Sequence, residues 1–165
     1  MKKILMLLSV FCLSFSSAAA QAANVTGFWQ TFYEKTGKPK SIVRVYEING
    51  LIYGEITVTF REDGAPNIVK DENGEVVGDK SVRAEKIKGK PPFCGLIVLK
   101  NLRHNNRGVY RGGALLNPES GKSYNAEIWL ANDGNLKIKG KWGVFSRTMT
   151  AIPITEEQLK SVFTL

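Results

Sequence analysis

Residues 41–60 read SIVRVYEI-NG-LIYGEITVTF, two runs of alternating apolar and polar residues joined by Asn49-Gly50. An Asn-Gly pair favours the two-residue turn of a β-hairpin, because both central positions of that turn need a positive φ. In the second run Ile52 and Ile56 share one face of the predicted strand and Glu55 lies on the other. This stretch predicts two antiparallel strands, each with one buried apolar face and one face exposed to solvent.

The same strand pattern continues on both sides of this hairpin. Short alternating or β-branched segments predict further strands at 27–33, 95–102, 108–116, 122–131, 135–142 and 147–154. A short helix is predicted after the last strand, with Thr155 as its N-cap and its end at Phe163. Because strands make up nearly all of the predicted elements, the chain is predicted to be all-β.

About eight or nine short strands must lose their exposed edges, either by closing on themselves or by stacking. We predict a small antiparallel up-and-down β-barrel with a short C-terminal helix, and a two-sheet sandwich is the alternative. Residues 61–93 are rich in Gly, Pro, Asp and Lys, and they predict a long loop with a short strand or turn near 82–87.

The first 22 residues have the form of a cleaved signal peptide. Lys2 and Lys3 precede a short apolar run, and Ala20-Gln21-Ala22 fits an A-x-A cleavage site. The run is too short to span a membrane, and Phe11 before Cys12 does not fit a lipoprotein signal. We therefore expect a single domain over 23–165, located in the periplasm or secreted.

The chain has 23 Lys+Arg against 15 Asp+Glu. Lys2 and Lys3 leave with the signal peptide, so 21 basic and 15 acidic residues remain, a net charge of +6. An exported protein rarely meets nucleic acid, so no nucleic-acid partner is expected. The basic stripe of Lys137, Lys139 and Lys141 predicts contact with an anionic envelope lipid or polysaccharide, or only a solvated basic surface.

No motif for catalysis, a metal or a cofactor is present. His104 is the only histidine, which removes the usual histidine-based triads and multi-histidine metal sites. Cys94 is the only cysteine after residue 22, and its apolar neighbours predict burial as a small hydrophobic residue. We expect no enzyme activity; a hydrolase using strand carboxylates such as Glu55 and Glu127 has the least support.

Most of the aromatic residues after residue 22 fall in predicted strands, which suggests an aromatic-lined barrel interior. Such an interior can hold one small apolar or amphipathic ligand, and the alternative is a barrel filled by its own side chains. Tyr46, Tyr53, Tyr124 and Trp129 are the candidate lining residues.

Three residues form a candidate structural cap of the barrel. Gly27 and Trp29 lie in the first strand and Arg147 lies in the last strand, and these two strands are neighbours in a closed barrel. The guanidinium of Arg147 is therefore predicted to stack on the indole of Trp29.

The G-x-W of the first strand and the arginine of the last strand resemble the lipocalin/calycin signature. More specifically, the chain resembles a secreted bacterial family catalogued as domain of unknown function 2147. The residues that carry this resemblance are Gly27-Phe28-Trp29, Ser41-Ile42-Val43, Tyr53-Gly54-Glu55-Ile56, Gly95-Leu96, Tyr110-Arg111-Gly112-Gly113, 117–124 (NPESGKSY) and 133–140 (DGNLKIKG). The resemblance implies a lipocalin-like barrel and an exported location, and it implies no substrate.

Overall fold

A computed structural model describes residues 24–105 and 107–164 of the chain. The predicted signal peptide, 1–22, lies outside these residues. The described elements are β1 (Gly27–Phe32), β2 (Pro39–Ile48), β3 (Leu51–Thr59), β4 (Ile68–Lys70), β5 (Val76–Gly78), β6 (Ile97–His104), β7 (Val109–Asn117), β8 (Lys122–Leu130), β9 (Leu136–Trp142), β10 (Phe145–Ile154) and α1 (Glu156–Val162). None of the helices in 24–105 and 107–164 has the length and apolar character needed to cross a bilayer.

Eight of the strands form a closed antiparallel barrel in the order β1-β10-β9-β8-β7-β6-β3-β2. The barrel closes between the first and the last strand, where Phe28, Trp29 and Gln30 pair with Ile154, Pro153 and Ile152. The predicted all-β barrel is confirmed, and the two-sheet sandwich is not what the chain forms.

The hairpin of residues 41–60 forms as predicted. Asn49 and Gly50 have φ values of 52° and 74° and make the β2–β3 turn. Ile52 and Ile56 point into the barrel and are 1% and 4% exposed. The pairing of β3 with β2 places Val43 beside Ile56, so the inward faces of the two strands lie side by side.

The barrel interior is filled by one hydrophobic cluster. Its buried members come from every strand of the barrel and from the segment before β1: Val25, Trp29, Val43, Val45, Ile52, Ile56, Val98, Leu99, Leu102, Tyr110, Ala126, Ile128, Leu136, Ile138 and Ala151. Most of them are β-branched or aliphatic residues of moderate size, which fit the narrow lumen of an eight-stranded barrel.

A second cluster covers the outside of β1, β2 and β3. The pairing of β2 with β3 shifts between Ile42 and Val43, so Ile42 and its partner Val58 point away from the interior cluster. Helix α1 covers them with its Leu159, Val162 and Phe163 side chains. The predicted N-cap is confirmed, because Thr155 and Gln158 form a reciprocal capping box.

Residues 61–93 are more ordered than the predicted long loop. They contain the β4–β5 hairpin, whose three-residue strands are too short to give a periodic signal in the sequence. Turns follow at 84–90, where Ile87 donates to Ala84 and Lys90 donates to Ile87. Phe93 at the end of this insertion, and Leu96 just after it, then pack on the interior cluster.

Candidate functional site

The four candidate lining residues do not share the barrel interior. Tyr124 is on the inward face of β8 with Ala126 and Ile128, whereas Trp129 is on the outward face. Tyr46 and Tyr53 are cross-strand partners on the outer face of β2 and β3. The prediction that these three outward residues line the interior was wrong, because smaller aliphatic residues occupy the alternate, inward positions.

The outward pair Tyr46 and Tyr53 still forms a defined structure. Their rings stack with centroids 6.0 Å apart, and the guanidinium of Arg44 lies 5.5 Å from the Tyr46 ring centroid. The Tyr53 hydroxyl donates a 2.8 Å hydrogen bond to Oδ1 of Asn101 on β6. This bond fixes the Tyr53 ring at one wall of a groove on the barrel surface.

We call this depression the proline groove. It has a volume of about 650 Å³ and lies between the outer faces of β3 and β6 and the end of the insertion. Its lining consists of Tyr53, Lys80, Pro91, Pro92, Cys94, Gly95, Leu96, Ile97, Lys100 and Asn101. Its volume is in the range of small-molecule sites, which span roughly 300–1,000 Å³.

The walls of the proline groove are mainly apolar, and its charged groups are all basic. Ile97 is 43% exposed in the groove, which is unusual for a large aliphatic residue. Lys80 and Lys100 are the charged lining residues, and neither forms an ion pair with another described residue. The groove therefore combines an apolar surface with two lysines that form no ion pair with another described residue.

A second depression of about 520 Å³, the hairpin groove, adjoins the first. It lies between β3, the β4–β5 hairpin and Phe163, and it shares Lys80, Cys94 and Gly95 with the proline groove. Glu55 and Asp71 line it, so it is less suited to an anion. The Oγ1 atom of Thr57 is buried there without a hydrogen-bond partner among the described residues.

Cys94 lies in the wall between the two grooves. It is 4% exposed and free of any disulfide among the described residues, so its predicted burial is confirmed. Desolvation raises the pKa of the Cys94 thiol, and the nearby Asp79 charge acts in the same direction. The thiol is therefore neutral at physiological pH and serves as an apolar part of the wall.

The predicted basic stripe lies on the outer face of β9. Lys137, Lys139 and Lys141 alternate with the buried Leu136, Ile138 and Gly140. Nζ of Lys141 is 2.6 Å from Oε1 of Glu127, and Nζ of Lys137 donates a 2.8 Å hydrogen bond to Thr150. Glu127 is the only acidic residue within β6–β10, so this side of the barrel is strongly basic.

The predicted barrel cap is only partly assembled. Trp29 is 4% exposed, and its Nε1 donates a 2.9 Å hydrogen bond to the carbonyl of Val25, two residues before Gly27. Arg147 does not stack on Trp29, because Trp29 pairs with Pro153, six residues further along β10. Six residues correspond to roughly 20 Å of strand. Arg147 instead forms an ion pair with Glu34.

In the described part of the chain the candidate metal ligands do not cluster, and the two candidate strand carboxylates lie on separate strands. Within residues 24–105 and 107–164 no three His, Cys, Asp or Glu side chains cluster as metal ligands would. His104 ends β6 and contacts the Tyr110 ring at 4.9 Å between centroids. Glu55 is on β3 and Glu127 is on β8, strands that do not neighbour each other in the barrel.

Comparison with solved structures agrees with the barrel fold described above. The fold is that of a lipocalin-like barrel: the chain is similar to a solved structure titled "Protein HP1028 from the human pathogen Helicobacter pylori belongs to the lipocalin family". The TM-score is 0.64 at 22% identity, covering 84% of this chain and 88% of that chain, which supports the fold alone.

Residues 27–151 match the family described as "Uncharacterized protein conserved in bacteria (DUF2147)". The chain therefore belongs to that family, as its sequence resemblance suggested. A search of curated proteins finds no match.

The sequence did not reveal most residues of the proline groove. Lys80, Pro91 and Pro92 fall within the predicted loop 61–93, and Lys100 belongs to a strand more than 40 residues after Tyr53. The Pro91-Pro92 pair, which stiffens the chain before β6, is the one local signal that could have pointed to this wall.

Proposed function

We propose that this is a non-enzymatic protein, exported to the periplasm or secreted, that binds a small amphipathic molecule with an anionic group. The observation that carries the proposal is the apolar proline groove with its two unpaired lysines, Lys80 and Lys100. The signal-peptide pattern of residues 1–22 supports export.

The site is assigned to the groove and not to the lumen for a physical reason. The interior cluster fills the middle of the barrel, and Phe93 of the insertion and Leu96 just after it pack against this cluster. A ligand in the lumen would have to displace these side chains. A ligand in the proline groove covers Ile97 and the proline rings, which are already accessible to it, and places its anionic group beside Lys80 or Lys100.

Binding of dodecanoate, a simple anionic amphipath, tests the proposal. We expect the double variant Lys80→Glu/Lys100→Glu to bind dodecanoate at least about tenfold more weakly, a loss of ~1.4 kcal/mol. Isothermal titration calorimetry measures this affinity directly. Mass spectrometry of an organic extract of the purified protein checks separately for a co-purified ligand.

The matched control is Lys137→Glu/Lys139→Glu, which makes the same change of charge on the outer face of β9. It should leave dodecanoate affinity unchanged. Equal losses in both double variants would show that only the net charge matters, and they would contradict a site in the proline groove.

A second candidate function rests on the basic side of the barrel. Arg103 and Arg111 are cross-strand partners on β6 and β7, and Lys137, Lys139 and Lys141 lie on β9, with Glu127 of β8 between the two groups. This surface favours contact with an anionic envelope lipid or polysaccharide. Here the reciprocal result is expected: salt-sensitive binding to lipopolysaccharide is lost in Lys137→Glu/Lys139→Glu and retained in Lys80→Glu/Lys100→Glu.

A further inference from the structure

The β9–β10 hairpin ends in an exposed apolar tip that neither function above uses. We call Trp142, Gly143, Val144 and Phe145 the hairpin tip. Val144 is 94% exposed, Phe145 is 64% exposed and Trp142 is 44% exposed. Three large apolar side chains on four consecutive residues are far from the scattered single exposures of an ordinary protein surface.

The tip is exposed because the barrel wall is incomplete beside it. The pairing of β10 with β1 ends at Ile152, so the earlier part of β10 pairs with β9 alone. Residues 145–150 are all exposed. This free part of the hairpin is roughly 20 Å long at 3.3–3.4 Å per residue.

The apolar side chains of the tip are organised and not scattered. Phe145 and Trp142 are cross-strand partners whose ring centroids are 6.2 Å apart. Trp142 also contacts Tyr124 of β8, with ring centroids 5.4 Å apart. Tyr124 therefore supports the Trp142 ring from the barrel side, while Phe145 and Val144 remain open to solvent.

The charged residues of the two strands that carry the tip are all basic. Strands β9 and β10 contain Lys137, Lys139, Lys141 and Arg147 and no acidic residue. Lys141 and Arg147 are partly compensated by Glu127 and Glu34, and Lys139 forms no ion pair with a described residue. The hairpin thus presents an apolar, aromatic end followed by a basic stem.

We propose that the hairpin tip inserts into the interfacial region of an anionic lipid membrane. Aromatic rings are favoured at the boundary between headgroups and acyl chains, and lysines behind them are attracted to anionic headgroups. A second copy of the chain fits less well, because tip-to-tip contact would bring two basic stems together. The inference does not depend on the proline groove being a binding site.

The test is co-sedimentation with vesicles of phosphatidylglycerol and phosphatidylcholine, using protein recovered after processing of its N-terminal segment. The unchanged protein should bind vesicles containing phosphatidylglycerol, and Val144→Ser/Phe145→Ser should bind them at least about tenfold more weakly, ~1.4 kcal/mol. This variant changes no charge. Its folding is checked by its thermal unfolding midpoint.

The matched control is Ile48→Ser, which removes a side chain that is 50% exposed at the β2–β3 turn. It should leave vesicle binding unchanged. Insertion should also shift the Trp142 emission to shorter wavelength, and Trp142→Phe should remove that shift.

Three results would overturn the inference. One is vesicle binding that is equal in the unchanged protein and in Val144→Ser/Phe145→Ser, which would leave only electrostatic adsorption. Another is the absence of binding to any vesicle. The third is a dimer in analytical ultracentrifugation that Val144→Ser/Phe145→Ser dissociates, which would make the tip a contact between copies of the chain.

Discussion

Cys94 illustrates how burial decides the chemistry of a single side chain. Its sulfur packs so closely against the β4–β5 hairpin that a Cβ built on Gly78 would lie 2.8 Å from Sγ. Burial raises the pKa of this thiol, so the thiolate needed for disulfide exchange or metal binding is scarce at neutral pH.

This burial predicts slow reaction of Cys94 with a thiol reagent in the native protein. Reaction with dithionitrobenzoate at pH 8 should be slow in buffer and rapid in denaturant, because unfolding exposes the sulfur. Rapid reaction of the native protein would contradict the burial of Cys94.

The raised pKa of the Cys94 thiol also predicts a pH dependence of stability. The free energy of unfolding is retained below the ordinary thiol pKa of 9.0 and falls at higher pH, since the thiol of the unfolded chain ionises first.

At the scale of single residues, the sequence predicted environments better than partners. The apolar neighbours of Cys94 correctly predicted its burial. The partner of Arg147 could not be predicted, because the cation–π contact with Trp29 depended on the register of β1 against β10. The alternation of each strand is equally compatible with registers that differ by an even number of residues, so it does not fix which residues pair.

At the scale of elements, the pair Gly112-Gly113 shapes the contact between β6 and β7. Gly112 has a φ of 81°, and the β7–β8 register shifts between Arg111 and Gly113, so the strand is irregular at this point. A Cβ built on Gly113 would lie 2.2 Å from the carbonyl oxygen of Lys100. The backbones of β6 and β7 are therefore too close at this point for any side chain.

Gly113→Ala should lower the free energy of unfolding by about 3 kcal/mol, because the methyl group meets backbone atoms that cannot move aside. Gly140→Ala is the matched control. Its nearest neighbour is the terminal Cδ2 of Leu115 at 3.2 Å, which can rotate away. We expect the control to cost about 1 kcal/mol or less, measured by urea denaturation. Equal losses in the two variants would contradict this account of the β6–β7 contact.

At the scale of the whole molecule, alternation along the strands predicted a sheet without exposed edges and favoured a closed barrel over a two-sheet sandwich. Each strand has one dry face, and a single antiparallel sheet with many dry faces buries them by curling around a common core. The turn between β2 and β3 was predictable because it depends on only two neighbouring residues, Asn49 and Gly50. The C-terminal helix was predictable because its cap, Thr155, is also adjacent to it in sequence.

The candidate site was much less predictable than the barrel. The proline groove joins Tyr53, Lys80, Pro91 and Lys100, which come from β3, two parts of the insertion and β6. These residues meet only once the barrel has closed and the insertion has folded back on it. The aromatic residues suggested either a ligand site in the lumen or a lumen filled by its own side chains. The interior cluster, mostly aliphatic with Trp29 and Tyr110, corresponds to the second alternative.

The central claim is that a small anionic amphipath binds outside the barrel, in the proline groove. The most direct test is a titration of isotope-labelled protein with dodecanoate, followed by NMR chemical shifts of the backbone amides. The account predicts saturable shifts confined to residues 94–101, Tyr53 and Lys80, with inward-facing Ile128 and Ile138 unchanged. Shifts centred on the inward-facing residues, or no saturable shifts, would contradict it.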